Sequence, residues 1–230
     1  MLTGAEIDQV MGLLHLREFQ PLSVFSTRRV EAILRDGTSL FRSLNSVDNQ
    51  VKWRAIKTGR KWNPVTNGAN GPNDANEQLT LEAFAMAGKA PAYAGLESAE
   101  VAGSGDEVIG ILIECAGKKV LCAPNLPSLD EKMIKTWNEY DVLLVDGTFW
   151  SDDELRRVVG SGKLAREMGH IPISGTDGTL ARLAKLKRPR KVFVHINNTN
   201  PVLNEESGEH QKVLEAGWEV AFDGMEIELN

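Results

Sequence analysis

The stretch DVLLVDGTFW, residues 141–150, contains the apolar run that decides the fold class. A second run of this kind lies in KVFVHINNTNP, residues 191–201. Both runs are rich in β-branched residues and lack the alternation of a half-exposed strand, which indicates strands buried on both faces of an α/β sheet. Asp146 and His195 each directly follow such a run. We therefore predict that both side chains lie at the carboxyl ends of strands, where open α/β sheets bind ligands.

A second imidazole, that of His170, lies in the segment AREMGHIPISG, residues 165–175. One carboxylate and two imidazoles form a ligand set that suits iron or zinc, so the sequence favours a metal site made by Asp146, His170 and His195. Two alternatives stay open from the residues alone. A histidine at a strand end is often a hydrogen-bonded structural residue. An Asp-Gly-Thr sequence is typical of a turn closed by the aspartate side chain.

The composition is that of an ordinary globular protein. The chain has 230 residues, of which 42% are hydrophobic, and a net charge of −6. This length is enough for one large domain, so we expect a single domain over residues 1–230. The basic run KLKRPRK, residues 185–191, is short, and we expect no nucleic-acid binding. No apolar stretch reaches the roughly 20 residues of a membrane span, and we expect a cytoplasmic protein.

Local patterns predict an alternation of strands and helices. Cys115 and Cys122 flank a turn in a predicted β-hairpin; they could face each other across its strands, but in a reducing compartment we expect free thiols. Thr27 is predicted to cap the helix that follows it. Strands are predicted at residues 22–26, 51–56, 79–87, 218–222 and 225–229, helices at residues 27–35, 39–44, 129–138, 178–186 and 207–216, and loops at residues 59–76 and 88–107.

Several segments together are specific for one family. The chain resembles the protein B family of pyrroloquinoline quinone (PQQ) biosynthesis in LVDGTFW, REMGH, HINNTNP, EVAFDGMEIEL, LREFQPL, KAPAY and LCAPNL. This resemblance implies an α/β metallo-β-lactamase-like fold, an αββα sandwich of two sheets between outer helices. It also implies iron-dependent hydroxylation of the tyrosine ring of a cross-linked Glu–Tyr precursor of PQQ. The alternative implied role is a non-catalytic carrier for PQQ or its precursor.

The resemblance also implies a set of metal ligands. Hydrolases of the wider superfamily bind metal through His-x-His-x-Asp-His, which matches GAEIDQ at residues 4–9. Asp8 is retained as the aspartate of the motif. Gln9 replaces the last histidine, and Glu6 stands at the position of the second histidine. We read Glu6 as an acid of the first helical turn, with a ligand as the alternative. The implied metal ligands are Asp8, Asp146, His170 and His195, the last three also being the implied catalytic residues.

Ferrous iron is the expected metal, with zinc as the alternative. A glutamine carbonyl is a weaker ligand for either metal than an imidazole. The four expected ligands suffice for a single ion, so a dinuclear site that hydrolyses its substrate with a metal-bound hydroxide is disfavoured. Members of the family are expected to begin with a further segment that builds strands and carries a cysteine-rich zinc stretch. The resemblance therefore implies an N-terminally shortened form of the fold.

Four further residues are candidates for binding the precursor. Arg166 could pair with one of its carboxylates, an ordinary helix salt bridge being the alternative. Asn197 could orient His195 or the substrate, or could belong only to a turn. Lys89 and Tyr93 lie in a long loop of the kind that often carries binding groups. The expected partners are the small-molecule or dipeptide-derived PQQ precursor and other proteins of the PQQ pathway.

Overall fold

The structure is a computed structural model that describes residues 1–16, 21–45, 47–64, 79–94, 105–160 and 162–229. The chain forms two compact units, one of residues 1–60 and 83–109 and the other of residues 61–82 and 110–230. Each unit is described by itself below. The expectation of a single domain over residues 1–230 stays a prediction.

The first unit is built around a pair of parallel strands. Strand β1 (Leu22–Thr27) pairs with β2 (Val51–Ile56) over six residue pairs, and helix α3 (Arg28–Arg35) lies between them in the chain. The Thr27 hydroxyl accepts a hydrogen bond from the Val30 N–H (3.1 Å), which confirms Thr27 as the predicted N-cap. Two short helices, α1 (Ile7–Val10) and α2 (Leu13–Leu16), precede β1. Their buried side chains join those of α3 in one hydrophobic core.

The larger sheet has seven strands in the described parts of the chain, arranged in the order of the sequence. They are β3 (Lys61–Trp62), β4 (Thr80–Ala85), β5 (Ile109–Cys115), β6 (Lys118–Ala123), β7 (Val142–Asp146), β8 (Arg190–Val194) and β9 (Glu219–Val220). Strands β5 and β6 form an antiparallel hairpin, whereas β6, β7, β8 and β9 run parallel to one another. Parallel strands need crossover connections, and helices occupy these connections.

The crossover helices of the second unit are α4 (Glu131–Trp137), α5 (Glu154–Val159), α6 (Thr179–Arg182) and α7 (Gly208–Glu215). Strands β7 and β8 are largely buried, as their uninterrupted apolar sequences predict. The Phe193 ring of β8 stacks on the Trp218 ring at a centroid distance of 4.3 Å and joins β9 to the core. None of the helices in the described ranges has the length and apolar character that a membrane span requires.

Several predicted elements differ from the structure. The predicted strand at residues 225–229 is wrong, and the one at 218–222 contains only the two residues of β9. The predicted helix at 39–44 is a single 3₁₀ turn, Arg42–Asn45. Strand β3 lies inside the predicted loop 59–76, most of which falls outside the described residues, as do residues 95–104 of the second loop. The two residues of β3 are too few for periodicity to indicate a strand.

The two cysteines do not face each other across the hairpin. The register places Cys115 opposite Lys118 and Cys122 opposite Ile111. Both thiols are free and half-buried, as expected. Burial raises the pKa of the Cys122 thiol, which lowers its reactivity as a nucleophile.

Candidate metal centre

Two neighbouring parallel strands deliver a carboxylate and an imidazole to the same edge of the sheet. The register pairs Asp146, the last residue of β7, with Val194, the last residue of β8. His195 directly follows Val194 in the chain. The structure therefore confirms that both residues lie at carboxyl ends of adjacent strands, which is where α/β sheets gather functional groups.

The second imidazole comes from a tight loop rather than from a strand. A 3₁₀ turn, Arg166–Met168, ends at Gly169, whose φ of 89° reverses the chain. The N–H of His170 then donates back to the Ala165 carbonyl (3.0 Å). The next N–H, that of Ile171, donates to the Leu126 carbonyl (2.9 Å). These backbone hydrogen bonds fix where the His170 ring enters the site.

The three side chains converge on one point. Asp146, His170 and His195 each offer a metal-binding atom, and these atoms lie within 4.8 Å of one another. The Asp146 side chain is fully buried, the His170 side chain is 7% exposed and that of His195 is 19% exposed. The imidazole rings stack at 5.6 Å, and the edge of Phe149 packs against His170. Residues far apart in the sequence thus form a buried group with the composition of a metal site.

The Asp146 carboxylate accepts four hydrogen bonds. Its Oδ2 accepts from the Leu126 N–H (2.9 Å) and from Nδ1 of His170 (2.7 Å). Its Oδ1 accepts from the N–H (3.0 Å) and the hydroxyl (2.5 Å) of Thr148. Burial alone would raise the pKa of Asp146, but its interactions with His170, His195 and Thr148 outweigh this effect and lower the pKa to about 2. The carboxylate is therefore charged at neutral pH.

The turn after β8 holds His195 in an unusual backbone conformation. Its φ is 56°, in the left-handed region that favours glycine. Both its carbonyl oxygen and its Nδ1 lie within hydrogen-bond distance of the Thr148 hydroxyl oxygen, at 2.9 Å and 2.8 Å. Asn200, which is buried, donates to the Gly147 carbonyl (2.9 Å). The two strand ends are thus bound to each other beyond the last pair of the sheet.

The turn interpretation of the Asp-Gly-Thr sequence is confirmed in the structure, and the metal-ligand interpretation stays a prediction. The hydrogen bond from the Thr148 N–H to Oδ1 of Asp146 closes a turn, as the residues alone suggested. The same carboxylate also belongs to the three-residue cluster. The position of Thr148, two residues after the aspartate, indicates its part in the turn but not its contact with His195, which the sequence analysis missed.

Comparison with known proteins identifies the family. The beta-lactamase superfamily domain matches residues 1–196. The coenzyme PQQ synthesis protein B of Pseudomonas putida is 38% identical over 231 residues, which cover all of this chain and 72% of that protein. The chain belongs to the coenzyme PQQ synthesis protein B family. The protein of the same name from Xanthomonas campestris is 36% identical over 230 residues, again with 72% of its length covered.

A solved structure of the family shares the fold. The crystal structure of Zn²⁺-bound PqqB from Methylobacterium extorquens superposes with a TM-score of 0.83 at 35% sequence identity, covering 99% of this chain and 72% of that chain. The mixed sheet and its helices therefore form a metallo-β-lactamase fold, as the sequence resemblance implied. The zinc ion in that structure is a property of the Methylobacterium protein.

The remaining expected metal ligand lies in the first unit. Asp8 is exposed in α1, and its Oδ1 accepts a hydrogen bond from the Gln9 N–H (3.1 Å). Glu6 occupies the N-cap position directly before this helix, and the acidic residue of the first turn is Asp8. The group of ligand atoms found in the described residues consists of Asp146, His170 and His195. A role for Asp8 stays a prediction.

The expected substrate-binding residues have partners within the chain. Arg166 donates to the Asp177 carbonyl (2.9 Å) and pairs with its carboxylate (3.3 Å), so the alternative of a salt bridge is present. Asn197 donates to the Thr199 hydroxyl (2.6 Å), as its turn reading implies. In the first unit Lys89 is exposed, whereas the Tyr93 hydroxyl donates to the Ala5 carbonyl. Burial raises the pKa of Tyr93 to about 12.

Glu154, the first residue of α5, is a second residue whose contacts the sequence did not reveal. It is only 1% exposed. Its carboxylate accepts from the Trp150 N–H (2.6 Å) and from the Thr199 hydroxyl (2.6 Å), so it links α5 to the turn after His195. Glu154, Trp150 and Thr199 line a cavity of about 490 Å³. The other residues that line it are Ser151, Asp153, Arg157, Val158, Pro201 and Glu209. A cavity of this size is adequate for a small ligand.

Proposed function

We propose that this protein takes part in PQQ biosynthesis as a metal-dependent hydroxylase that acts on the tyrosine ring of the cross-linked Glu–Tyr precursor. The convergence of Asp146, His170 and His195 within 4.8 Å carries the proposal. The name shared by its relatives, coenzyme PQQ synthesis protein B, supports the pathway. Hydroxylation as the reaction is what the sequence resemblance to this family implies.

The donor set of this cluster fits the proposed metal. Two imidazole nitrogens beside one carboxylate suit ferrous iron, and zinc is the alternative. The low pKa of Asp146 keeps a negative charge beside the two rings at neutral pH. A ferrous ion held there would supply the activation of dioxygen that hydroxylation needs. The burial of the group would exclude bulk water from the reacting atoms.

The chain's own residues have distinct parts in this proposal. His170 and His195 provide nitrogen ligands, and Asp146 provides charge and orientation. The four hydrogen bonds that Asp146 already accepts use its acceptor positions, so direct binding of the metal by this carboxylate would displace one of them. Asp8 is the proposed further ligand.

Binding of the precursor is proposed for residues that sequence reasoning selected. Arg166 would hold a substrate carboxylate after exchanging its partner Asp177 for the ligand. Asn197 would support the turn that carries His195, while Lys89 and Tyr93 would contact the substrate. Other proteins of the PQQ pathway are the proposed partners that deliver the precursor.

The direct test is a reconstitution assay. Metal-free protein is loaded anaerobically with ferrous iron and mixed with the Glu–Tyr precursor, dioxygen and a two-electron reductant such as ascorbate, which takes the second oxygen atom to water. The product is analysed by mass spectrometry. We expect the mass of one added oxygen atom on the tyrosine ring. His195→Ala should abolish the product, whereas His15→Ala, at an exposed histidine of α2, should retain it. An unchanged precursor in the presence of protein with bound iron would refute the hydroxylase.

The carrier role makes a different prediction for the same proteins. Titration calorimetry would measure PQQ binding to metal-free protein and to the His195→Ala variant. Binding that survives both changes, without turnover of the precursor, would favour a carrier. PQQ binding that is lost when the metal is removed would favour the enzyme.

A further inference from the structure

We propose that Thr148 is a positioning residue that fixes which nitrogen of His195 is presented to a metal ion. The inference rests on the metal centre proposed above and adds to it the side chain that orients one of its ligands. It follows from counting the hydrogen-bond donors and acceptors around the Thr148 hydroxyl oxygen.

The Thr148 hydroxyl oxygen has three polar neighbours. It lies 2.5 Å from Oδ1 of Asp146, 2.9 Å from the carbonyl oxygen of His195 and 2.8 Å from Nδ1 of His195. The first two neighbours are a carboxylate oxygen and a backbone carbonyl oxygen, which have no proton to donate and can only accept hydrogen bonds. The hydroxyl has a single proton to donate.

This proton count determines the tautomer of the ring. If the hydroxyl proton pointed at Nδ1 of His195, two acceptor oxygens would face each other at 2.5 Å with no hydrogen between them. That arrangement is repulsive. Whether the hydroxyl proton is directed to Asp146 or to the His195 carbonyl, the contact of 2.8 Å requires Nδ1 to be the donor. His195 is thereby held with its proton on Nδ1, so that Nε2 carries the lone pair that binds a metal.

The same carboxylate orients the other ring directly. Nδ1 of His170 donates to Oδ2 of Asp146 at 2.7 Å. Nδ1 of His195 lies 3.8 Å from Oδ1, which is too far for a hydrogen bond. Thr148 spans that distance and passes the orienting effect of Asp146 to the second imidazole. One buried carboxylate thus sets both rings to present Nε2, as carboxylates behind metal-bound histidines do.

The tautomer can be measured in metal-free protein. The chain has four histidines, so the imidazole ¹⁵N resonances of labelled protein can be assigned by replacing them one at a time. At a pH where the ring is neutral, we expect His195 to carry its proton on Nδ1. Thr148→Ser, which keeps the hydroxyl, should preserve this signature. Thr148→Val, which has nearly the same shape without it, should give a mixture of the two tautomers.

Zinc titration gives a second readout that needs no substrate. Thr148→Val should weaken zinc binding by about 10- to 100-fold, the usual effect of removing a partner behind a ligand, and Thr148→Ser should restore it. Thr136→Val is the matched control, because the Thr136 hydroxyl bonds only locally to the Lys132 carbonyl on an exposed face of α4. Its zinc affinity should equal that of the unmodified protein.

Two results would overturn the role of Thr148. One is a wild-type His195 with its proton on Nε2, which is informative even if the valine variant does not fold. The other is a folded Thr148→Val protein with unchanged tautomer and zinc affinity. Neither readout depends on hydroxylation, so a failed assay with the Glu–Tyr precursor would leave the inference standing.

Discussion

At the scale of single residues, the site depends on one buried negative charge. A carboxylate without solvent contact is stable as an ion only when hydrogen-bond donors replace water. Asp146 has four such donors, from Leu126, His170 and Thr148. Since two of these donors are backbone N–H groups, the turn geometry itself supports the charge. The carboxylate is therefore part of the fold as well as of the candidate metal centre.

The pH dependence of stability should report this charge. The pKa of Asp146 is lowered from 3.8 to about 2 in the folded protein. Its ionised form therefore stabilises the folded state above the unfolded pKa, by about 2 kcal/mol, and this contribution is lost as the pH falls from about 4 towards 2. Urea unfolding of metal-free protein over this range should show the loss, whereas Asp146→Asn should lack it and be less stable at neutral pH.

The control for this experiment is a solvent-exposed carboxylate of the same protein. Asp223 is exposed, so Asp223→Asn should leave the acid dependence of stability unchanged. A stability difference between wild type and Asp146→Asn that stays constant with pH would show that the charge of Asp146 is not what the fold depends on.

How far single residues could be predicted depended on the range of their contacts. Asp146 and His195 were identified because apolar strands end directly before them. His170 needed its motif, since it stands in a loop that follows no strand. Thr148 could not be assigned its part from sequence, because its contact with His195 joins residues 47 positions apart and exists only when β7 and β8 are neighbours.

At the scale of elements, the close approach of β7 and β8 matters most. Gly147 follows β7, and its N–H donates to the Val194 carbonyl of β8 (2.8 Å). A Cβ atom added at Gly147 would lie 2.8 Å from Cβ of Phe193, closer than such atoms approach each other. The absence of a side chain here lets the end of β7 lie against β8, and so sets the spacing of Asp146 and His195.

Gly147→Ala should therefore damage both stability and metal binding. Inserting a methyl group into a packed strand interface typically costs about 1–3 kcal/mol, and the shift it forces should separate the ligands and weaken zinc binding. Gly208→Ala is the matched control, since no atom lies within 4 Å of the added Cβ at the start of α7. That variant should have unchanged zinc affinity and equal or higher stability. Equal behaviour of the two variants in urea unfolding would contradict this account.

Elements with strong hydrophobic patterns were predicted well, and those held by few contacts were not. Strands β7 and β8 have long apolar runs, and α3 has both an N-cap and an apolar face. The alternating sequence at residues 225–229 resembles a strand but is not one, because a strand exists only where a partner offers hydrogen bonds. The existence of that partner cannot be deduced from a local pattern.

At the scale of the whole molecule, the patterns and the resemblance supplied different information. Patterning indicated an α/β protein, whereas the metallo-β-lactamase-like sandwich followed from the family motifs. The match to the Methylobacterium structure, with a TM-score of 0.83, confirms the fold that the motifs implied. The arrangement of strands in a sheet depends on contacts between distant segments, and only a resemblance or a structure provides these.

Metal binding should be visible in the stability of the whole protein. A ligand that binds only the folded state stabilises it by about 2.7 kcal/mol when present at 100 times its dissociation constant. Zinc, or ferrous iron without oxygen, should thus raise the Tm of metal-free protein by several degrees. His170→Ala and His195→Ala should lose this increase, and His15→Ala should retain it. A Tm increase that persists in both site variants would place the binding site elsewhere.

The left-handed backbone conformation at His195 lowers the stability of the folded protein at a position where the imidazole is needed for the proposed activity. A non-glycine residue with a φ of 56° is strained by about 1–2 kcal/mol, a penalty that glycine does not carry. His195→Gly should accordingly be more stable in urea than His195→Ala, although both lack the imidazole. In a library randomised at this codon, selection for heat resistance alone should enrich glycine and asparagine, while selection for metal uptake should return histidine. Enrichment of different residues in the two selections would show that the conformation of this turn favours metal binding and lowers the stability of the protein.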